Sequence, residues 1–280
     1  MNPKIVMSGY YGFQNAGDDA VCYAIIEALR SEVPGCEITV LSNNPALTTD
    51  TYGVNACDRW KLKTVWKALG QADMIVSGGG SLLQDVTSKN SPLYYLGIIF
   101  MAMLRHKPVV IYSQGLGPLN CKRNRAMVKW AFNHALAIHV RDDESYDLVR
   151  ELGVTGPVQV APDPVLGIDG DVVDTEKGRR ILQTLGYDGK RPLALIALRD
   201  WANTDYVQEF AALGDALVAQ GYSVGFLAMH YDQDETISKA VCDKMRGDAF
   251  VIADAYDTPT LFSIFDNADL VVGMRLHALI

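Results

Sequence analysis

Cysteine is scarce and badly spaced for covalent or metal work. The five residues, Cys22, Cys36, Cys57, Cys121 and Cys242, are odd in number and form no Cys-x-x-Cys pair. A disulfide framework and a structural zinc site are therefore not expected, and the thiols read as small apolar residues, buried or partly buried. No bound metal is expected. Long apolar runs are missing too. The longest, Leu96 to Leu104, is about half the length a membrane span needs. Met1 to Ser8 lacks the apolar core of a signal peptide and reads as a strand. A cytoplasmic protein is expected, with peripheral contact at the inner face of the plasma membrane left open. Basic charge is also short: 25 Lys+Arg stand against 33 Asp+Glu, a net charge of −8. Nucleic acid is not expected as a partner, because neutralising phosphates needs a basic surface. A local basic pocket is still allowed.

What is present is core-forming material. Apolar residues make up 49% and charged residues 21% of 280, enough for two hydrophobic cores. Short apolar runs alternate with longer amphipathic ones. The predicted strands are 5–8, 37–41, 74–77, 109–112, 137–140 and 158–161, separated by helical patterns at 18–31, 62–69, 94–105, 123–134 and 143–152. Continuous apolar strands alternating with helices indicate a parallel sheet covered on both faces. The Gly- and Asp-rich segment around 164–178 reads as a linker. Beyond it the alternation resumes, with strands at 193–198, 223–228, 250–253 and 269–272 and helices at 204–220, 235–246 and 259–265. The expected architecture is α/β and GT-B-like: two facing Rossmann-like domains with parallel sheets, 1–165 and 178–280. The chain stops in Arg275-Leu276-His277-Ala278-Leu279-Ile280, which reads as the start of a helix, so the second domain is expected to be incomplete.

The candidate chemistry sits in loops at the carboxyl ends of the strands, where ligands bind in such sheets. After the first strand comes Ser8-Gly9-Tyr10-Tyr11-Gly12-Phe13-Gln14-Asn15-Ala16-Gly17-Asp18. Asp18 is expected as the N-cap of the next helix, and a tight capped turn alone would explain part of this pattern. Tyr11 and Phe13 are candidate sugar platforms, with Asn15 beside them. Tyr94, Tyr95 and Trp66 read instead as packing. After the third strand, Gly78-Gly79-Gly80-Ser81-Leu82-Leu83-Gln84-Asp85 suggests close approach of backbone to something. Gly79, Gly80 and Asp85 are candidates there, and a plain strand-to-helix turn is the alternative. Gln114 opens a third glycine loop. Arg141, at the end of the fifth strand, can hold a phosphate or carboxylate or simply pair with a nearby acid. In the second half, Arg199 and His230 follow strands, and Arg275, Leu276 and His277 follow another through Gly273. A cation and an imidazole at one strand end suit anion binding and proton transfer.

Neither GxGxxG nor GxSxG occurs, which disfavours dinucleotide binding and serine hydrolysis. The five segments Ser8–Asp18, Gly78–Asp85, Gln114–Pro118, Val140–Asp142 and Gly273–Leu279, in this order, resemble the polysaccharide pyruvyl transferase family. Its bacterial cell-wall members of the CsaB type are the most similar.

The resemblance implies an enzyme that transfers the pyruvyl group of phosphoenolpyruvate (PEP) to two hydroxyls of a sugar, forming a cyclic ketal and releasing phosphate. PEP is then the donor substrate, with no further cofactor. The acceptor implied is a lipid-linked precursor of a secondary cell-wall polymer bearing an N-acetylmannosamine-type sugar, and the product anchors S-layer homology domains. The resemblance assigns Arg141, Arg275, Leu276 and His277 to PEP binding and catalysis, with His277 as acid. Asp18 and Asp85 are candidate bases, and the N-terminal glycine loops a candidate acceptor site. Family members continue past this segment and add a lysine to the PEP pocket. Two other readings stay open: a nucleotide-sugar glycosyltransferase of the same fold, and a non-catalytic sugar- or anion-binding protein.

Overall fold

The structure, a computed structural model, describes residues 2–86, 88–200 and 206–280. The chain divides into two compact units. The first runs through Phe13 and takes Ala20–Ile168; the second takes Gln14–Asp19 and Asp169–Ile280.

The first unit is built from β1 (Lys4–Tyr11), α1 (Ala16–Glu32), β2 (Glu37–Ser42), α2 (Pro45–Tyr52), β3 (Asn55–Asp58), α3 (Leu62–Gln71), β4 (Met74–Gly78), α4 (Ser91–Leu104), β5 (Val109–Gln114), α5 (Lys122–Asn133), β6 (Ala137–Val140), α6 (Asp143–Glu151) and β7 (Gln159–Val160), with the first turn of α1 counted in the second unit. The strands pair in parallel in the order β3-β2-β1-β4-β5-β6-β7. The order reverses direction between β1 and β4, the switch point where a doubly wound sheet opens a crevice. Val6, Ile75, Val109 and Ile111 from the strands pack with Val65, Leu69, Ile99, Val128 and Phe132 from α3, α4 and α5 in one core.

The second unit contains α7 (Thr175–Thr184), β8 (Leu193–Ala197), α8 (Val207–Ala219), β9 (Ser223–Leu227), α9 (Tyr231–Lys244), β10 (Ala249–Ile252), α10 (Thr258–Phe265) and β11 (Leu270–Gly273). Its parallel sheet has the order β10-β9-β8-β11, so its switch point lies between β8 and β11. Every residue of β8 and β9 is buried, the mark of strands covered on both faces.

Several expectations are corrected. The first strand does not end at Ser8 but continues to Tyr11, which pairs with Ser42 after an irregularity at Gly9 and Tyr10. Tyr11 is 2% exposed and donates its hydroxyl proton to the Gly78 carbonyl at 2.8 Å. It is a core residue and offers no face to a sugar. Helix α1 starts at Ala16, so Asp18 lies in its first turn. Asn15 takes the capping place, its Oδ1 accepting from Gly17 N–H at 3.3 Å. The segment read as a linker contains two 3-10 turns, Pro164–Gly167 and Gly170–Val172, and the first turn of α7. Asp163 just before it and Asp169 and Asp174 within it are caps, accepting from Val165, Asp171 and Lys177 backbone N–H groups. The start expected for the helix at 204, and Trp201 before it, lie outside the described residues. Helices α2 and α7 and strand β3 went unread. β3 is polar and forms through its register with β2, Thr39 opposite Asn55.

Candidate active site

Each unit carries its own cluster at the carboxyl edge of its sheet. In the first unit Arg141 directly follows β6. Its Nη1 donates to Asp163 Oδ2 at 3.2 Å, its Nη2 donates to Ser81 Oγ at 3.0 Å, and Nε lies 3.7 Å from Asp142 Oδ2. The acid that holds Arg141 is thus Asp163, 22 residues away, while Asp142 caps α6 by accepting from Ser145 N–H at 2.8 Å. With 11% of its side chain exposed, Arg141 is a largely desolvated cation whose orientation is fixed from two sides.

The neighbouring glycine loop has a structural cause. Gly79 and Gly80 adopt φ of 75° and 68°, and a Cβ on Gly79 would run into the Val21 side chain. What approaches closely there is helix α1. Gly80 offers its carbonyl to Gln114 Nε2 and to Gly115 N–H, both at 2.9 Å. Gln114 is 1% exposed, and its Oε1 is buried without a hydrogen-bond partner among the described residues. Asp85 is corrected from candidate base and ligand to clamp. It accepts from Asn120 N–H and Cys121 N–H, each at 2.8 Å, and from Asn124 Nδ2 at 3.2 Å. Burial pushes its pKa up, yet those hydrogen bonds outweigh burial and hold it below the ordinary carboxylate value. Phe13 stacks on Tyr10, centroids 4.0 Å apart, with the Arg59 guanidinium 4.9 Å from its ring.

In the second unit the cluster straddles the switch point. Arg199 stands just beyond β8 and Arg275 just beyond β11. Arg275 grips Asp234 through two bonds, Nε to Oδ2 at 2.7 Å and Nη2 to Oδ1 at 2.5 Å. Asp234, in the first turn of α9, is fully buried and also accepts from His230 N–H at 2.8 Å. This bidentate pair fixes the plane of the guanidinium. Burial and then Arg275 lower the pKa of Arg199, so two guanidiniums lie within electrostatic reach of one another. Burial and then Arg275 likewise depress His230, leaving a neutral imidazole at neutral pH. His230 Nδ1 is buried without a hydrogen-bond partner among the described residues.

The start of α1 belongs to this cluster. Asn15 bridges to His230, and Ala16 N–H donates to the Met229 carbonyl at 2.7 Å. Asn15 Nδ2 donates to Asp18 Oδ2 at 2.7 Å. A Cβ on Gly17 would collide with the His277 imidazole, so glycine is what lets the ring lie on the backbone one residue from Asp18. His277 itself sits in a 3-10 turn, Leu276–Ala278, and Leu276 is 52% exposed. Asp19 is a titratable group the sequence did not single out. Burial, with Asp18 beside it, pushes its pKa up to about 7.

The structure therefore brings Asn15, Asp18, Arg275 and His277 into one unit, with Arg199, His230 and Asp234, while Arg141, Gln114, Gly79 and Gly80 belong to the other. Asp234 and Asp163 were missed because an acid next to an Asp-rich helix start or turn looks like a cap. Among the described residues no group of three or more His, Cys, Asp or Glu gathers as a metal set would. Chemically, paired guanidiniums at a switch point suit a multiply charged anion. A carboxylate and an imidazole at the same edge suit proton transfer.

Comparison with known proteins speaks to the family and the fold. The chain is 21% identical over 338 residues to the amylovoran biosynthesis protein AmsJ of Erwinia amylovora, covering 99% of this chain and 80% of that one. The structure resembles UDP-GlcNAc 2-epimerase of Neisseria meningitidis bound to UDP-GlcNAc (TM-score 0.61, 10% identity, 99% of this chain and 78% of that one). It also resembles the ADP-heptose LPS heptosyltransferase II of E. coli (TM-score 0.53, 11% identity, 97% and 78%). The fold is thus GT-B-like. The model of one family, polysaccharide pyruvyl transferase, matches residues 15–280, a span that takes in every polar residue of the second unit's cluster together with Arg141, Asp163 and Gln114. The chain belongs to the polysaccharide pyruvyl transferase family.

Proposed function

We propose that this transferase takes its pyruvyl group from PEP and closes it as a cyclic ketal across two hydroxyls of a lipid-linked saccharide. The observation that carries this reading is the pair Arg199 and Arg275 at the β8/β11 switch point, with Arg275 locked in plane by buried Asp234. Two like charges held within reach of each other favour a bound anion, and PEP supplies a carboxylate and a phosphate. Arg141, held by Asp163 and Ser81 in the first unit, keeps its own proposed part in catalysis. His277 gives a proton to the PEP methylene carbon, which becomes the methyl group. The first sugar hydroxyl adds to the adjacent carbon and passes its proton to Asp18. The second hydroxyl forms its bond to the same carbon as the bond to phosphate breaks, and the imidazole, now neutral, takes that proton. The first unit is the proposed acceptor side. The acceptor proposed is the CsaB-type one, an N-acetylmannosamine-type sugar of a secondary cell-wall polymer precursor whose product anchors S-layer domains, handled at the inner face of the plasma membrane.

The test is PEP-dependent phosphate release against a panel of synthetic lipid-linked saccharides, with mass detection of the pyruvylated product. Phosphate release with a ketal-sized mass gain is expected for at least one acceptor. Nucleotide release from a sugar nucleotide in its place, or PEP binding with no product from any acceptor, overturns the reading.

A further inference from the structure

The strongest unexplained surface lies away from both clusters, on the layer formed by α3, α4 and α5. These helices of 10, 14 and 12 residues contain no aspartate or glutamate, in a chain that carries 33 acids in 280 residues. Their basic residues are Lys63 and Lys67 on α3 and Lys122, Arg123, Arg125 and Lys129 on α5. Arg125 is paired with Glu151 on α6, whereas Lys122 and Lys129 are exposed. Between α4 and α5 runs an open apolar groove of about 390 Å³. Its floor is Gly97, where an added Cβ would meet nothing, and its walls include Phe100 and Trp130, their rings 5.7 Å apart. Phe100 is 47% exposed and Leu104, one helical turn further, 54%. Trp66 on α3 is 38% exposed, with the Arg105 guanidinium 4.8 Å from its ring.

We propose that the α3–α4–α5 face docks on an anionic phospholipid bilayer, with Phe100, Leu104 and Trp130 entering the headgroup boundary and the lysines contacting lipid phosphates. Half-exposed aromatics flanked by lysine, with no acid among them, are the composition of an interfacial surface. Charge decides between the occupants. A second copy meeting this face in two-fold symmetry would set lysines and arginines against the same lysines and arginines, with no carboxylate on α3, α4 or α5 to offset them. An anionic membrane instead repels a chain of net charge −8 as a whole and attracts a face of this composition, which also orients the approach. No helix among the described residues is long and apolar enough to cross a membrane, so the contact is peripheral. The proposal extends the reading of a lipid-linked acceptor. Because vesicle binding is measured without substrate, either can fail alone.

The experiment is co-sedimentation of the full chain with vesicles of phosphatidylcholine alone or with about 30 mol% phosphatidylglycerol. Binding is expected to the anionic vesicles only, weakening as salt rises. Lys122→Glu/Lys129→Glu and Phe100→Ser/Trp130→Ser are each expected to lower that binding at least about tenfold. The lysine pair is exposed and keeps the test valid where the apolar pair unfolds. No binding to anionic vesicles, or unchanged binding by the lysine variant, overturns the proposal. So does sedimentation equilibrium showing an oligomer that Phe100→Ser/Trp130→Ser dissociates, since a second copy would then cover the face.

Discussion

The residue that organises the second unit's cluster is Asp234. It gives Arg275 its plane and ties it to the His230 backbone. Removing it leaves a buried guanidinium without its counter-charge, so Asp234→Asn should destabilise the protein by about 3 kcal/mol in urea melts. Arg275→Lys replaces a planar fork by a point charge. It should cut kcat/KM for the proposed donor, PEP, by about a hundredfold, an effect on the donor rather than on acceptor saturation. Asp19 carries a pH signature. Unfolded, its carboxyl ionises near 3.9; folded, it does so at about 7. Between those values the folded state holds a proton that the unfolded chain has released, so stability falls as pH rises through this window and levels off above about 7. Asp19→Asn should abolish that slope and stabilise the protein at pH 8 by about 2–4 kcal/mol, read from denaturation at pH 5 and 8. Arg275 and His277 were legible because a cation and an imidazole follow a strand through glycine. Asp234 and Asp19 were not, because nothing local separates them from the acids that open any helix.

At the scale of elements, the strands and most helices follow from periodicity, since buried parallel strands are apolar runs and their covering helices are not. The failures have one cause, local polar chemistry taken at face value. Asp163, Asp169 and Asp174 looked like linker composition and are caps that accept backbone N–H groups. Asp85 looked like a base beside a glycine loop and holds the start of α5 through Asn120, Cys121 and Asn124. Asp85→Ala should therefore cost about 1–3 kcal/mol of stability. The same variant should leave the shape of the pH–rate profile as it is, whereas loss of one limb would restore a role as base. Tyr11 failed in the opposite sense: read as loop, it is the last residue of β1, and its ring belongs to the inside.

At the scale of the molecule, two parallel sheets of seven and four strands each reverse strand order once, and the candidate residues gather at the carboxyl edges of those sheets, Arg199 and Arg275 at the second sheet's reversal and Gln114 and Arg141 at the ends of β5 and β6. That placement was legible from the alternation of strands and helices, because ligands lie at carboxyl ends in such sheets. Which acid meets which arginine was not, since it depends on strand order, and sequence order hides strand order. Amide hydrogen exchange should show the hierarchy directly. Amides of β1, β4 and β5, interior to the larger sheet, should exchange slowest. Those of edge strands β3 and β7, both β7 residues being exposed, should exchange early. A uniform rate across the sheet would contradict the core as described.

The ring of His277 resting on Gly17 has a consequence for the order in which the protein comes into being. The turn from Gln14 to Asp19 leaves the ribosome before its partners, Met229, His230 and His277, which are 213 or more positions further along. At synthesis rates of about 5–20 residues per second, that turn waits roughly 10–50 s for the surface it rests on. The first sheet can be complete by then. The turn at 14–19 is thus made long before the surface it rests on, and the second unit's cluster is assembled only once His277 has been added.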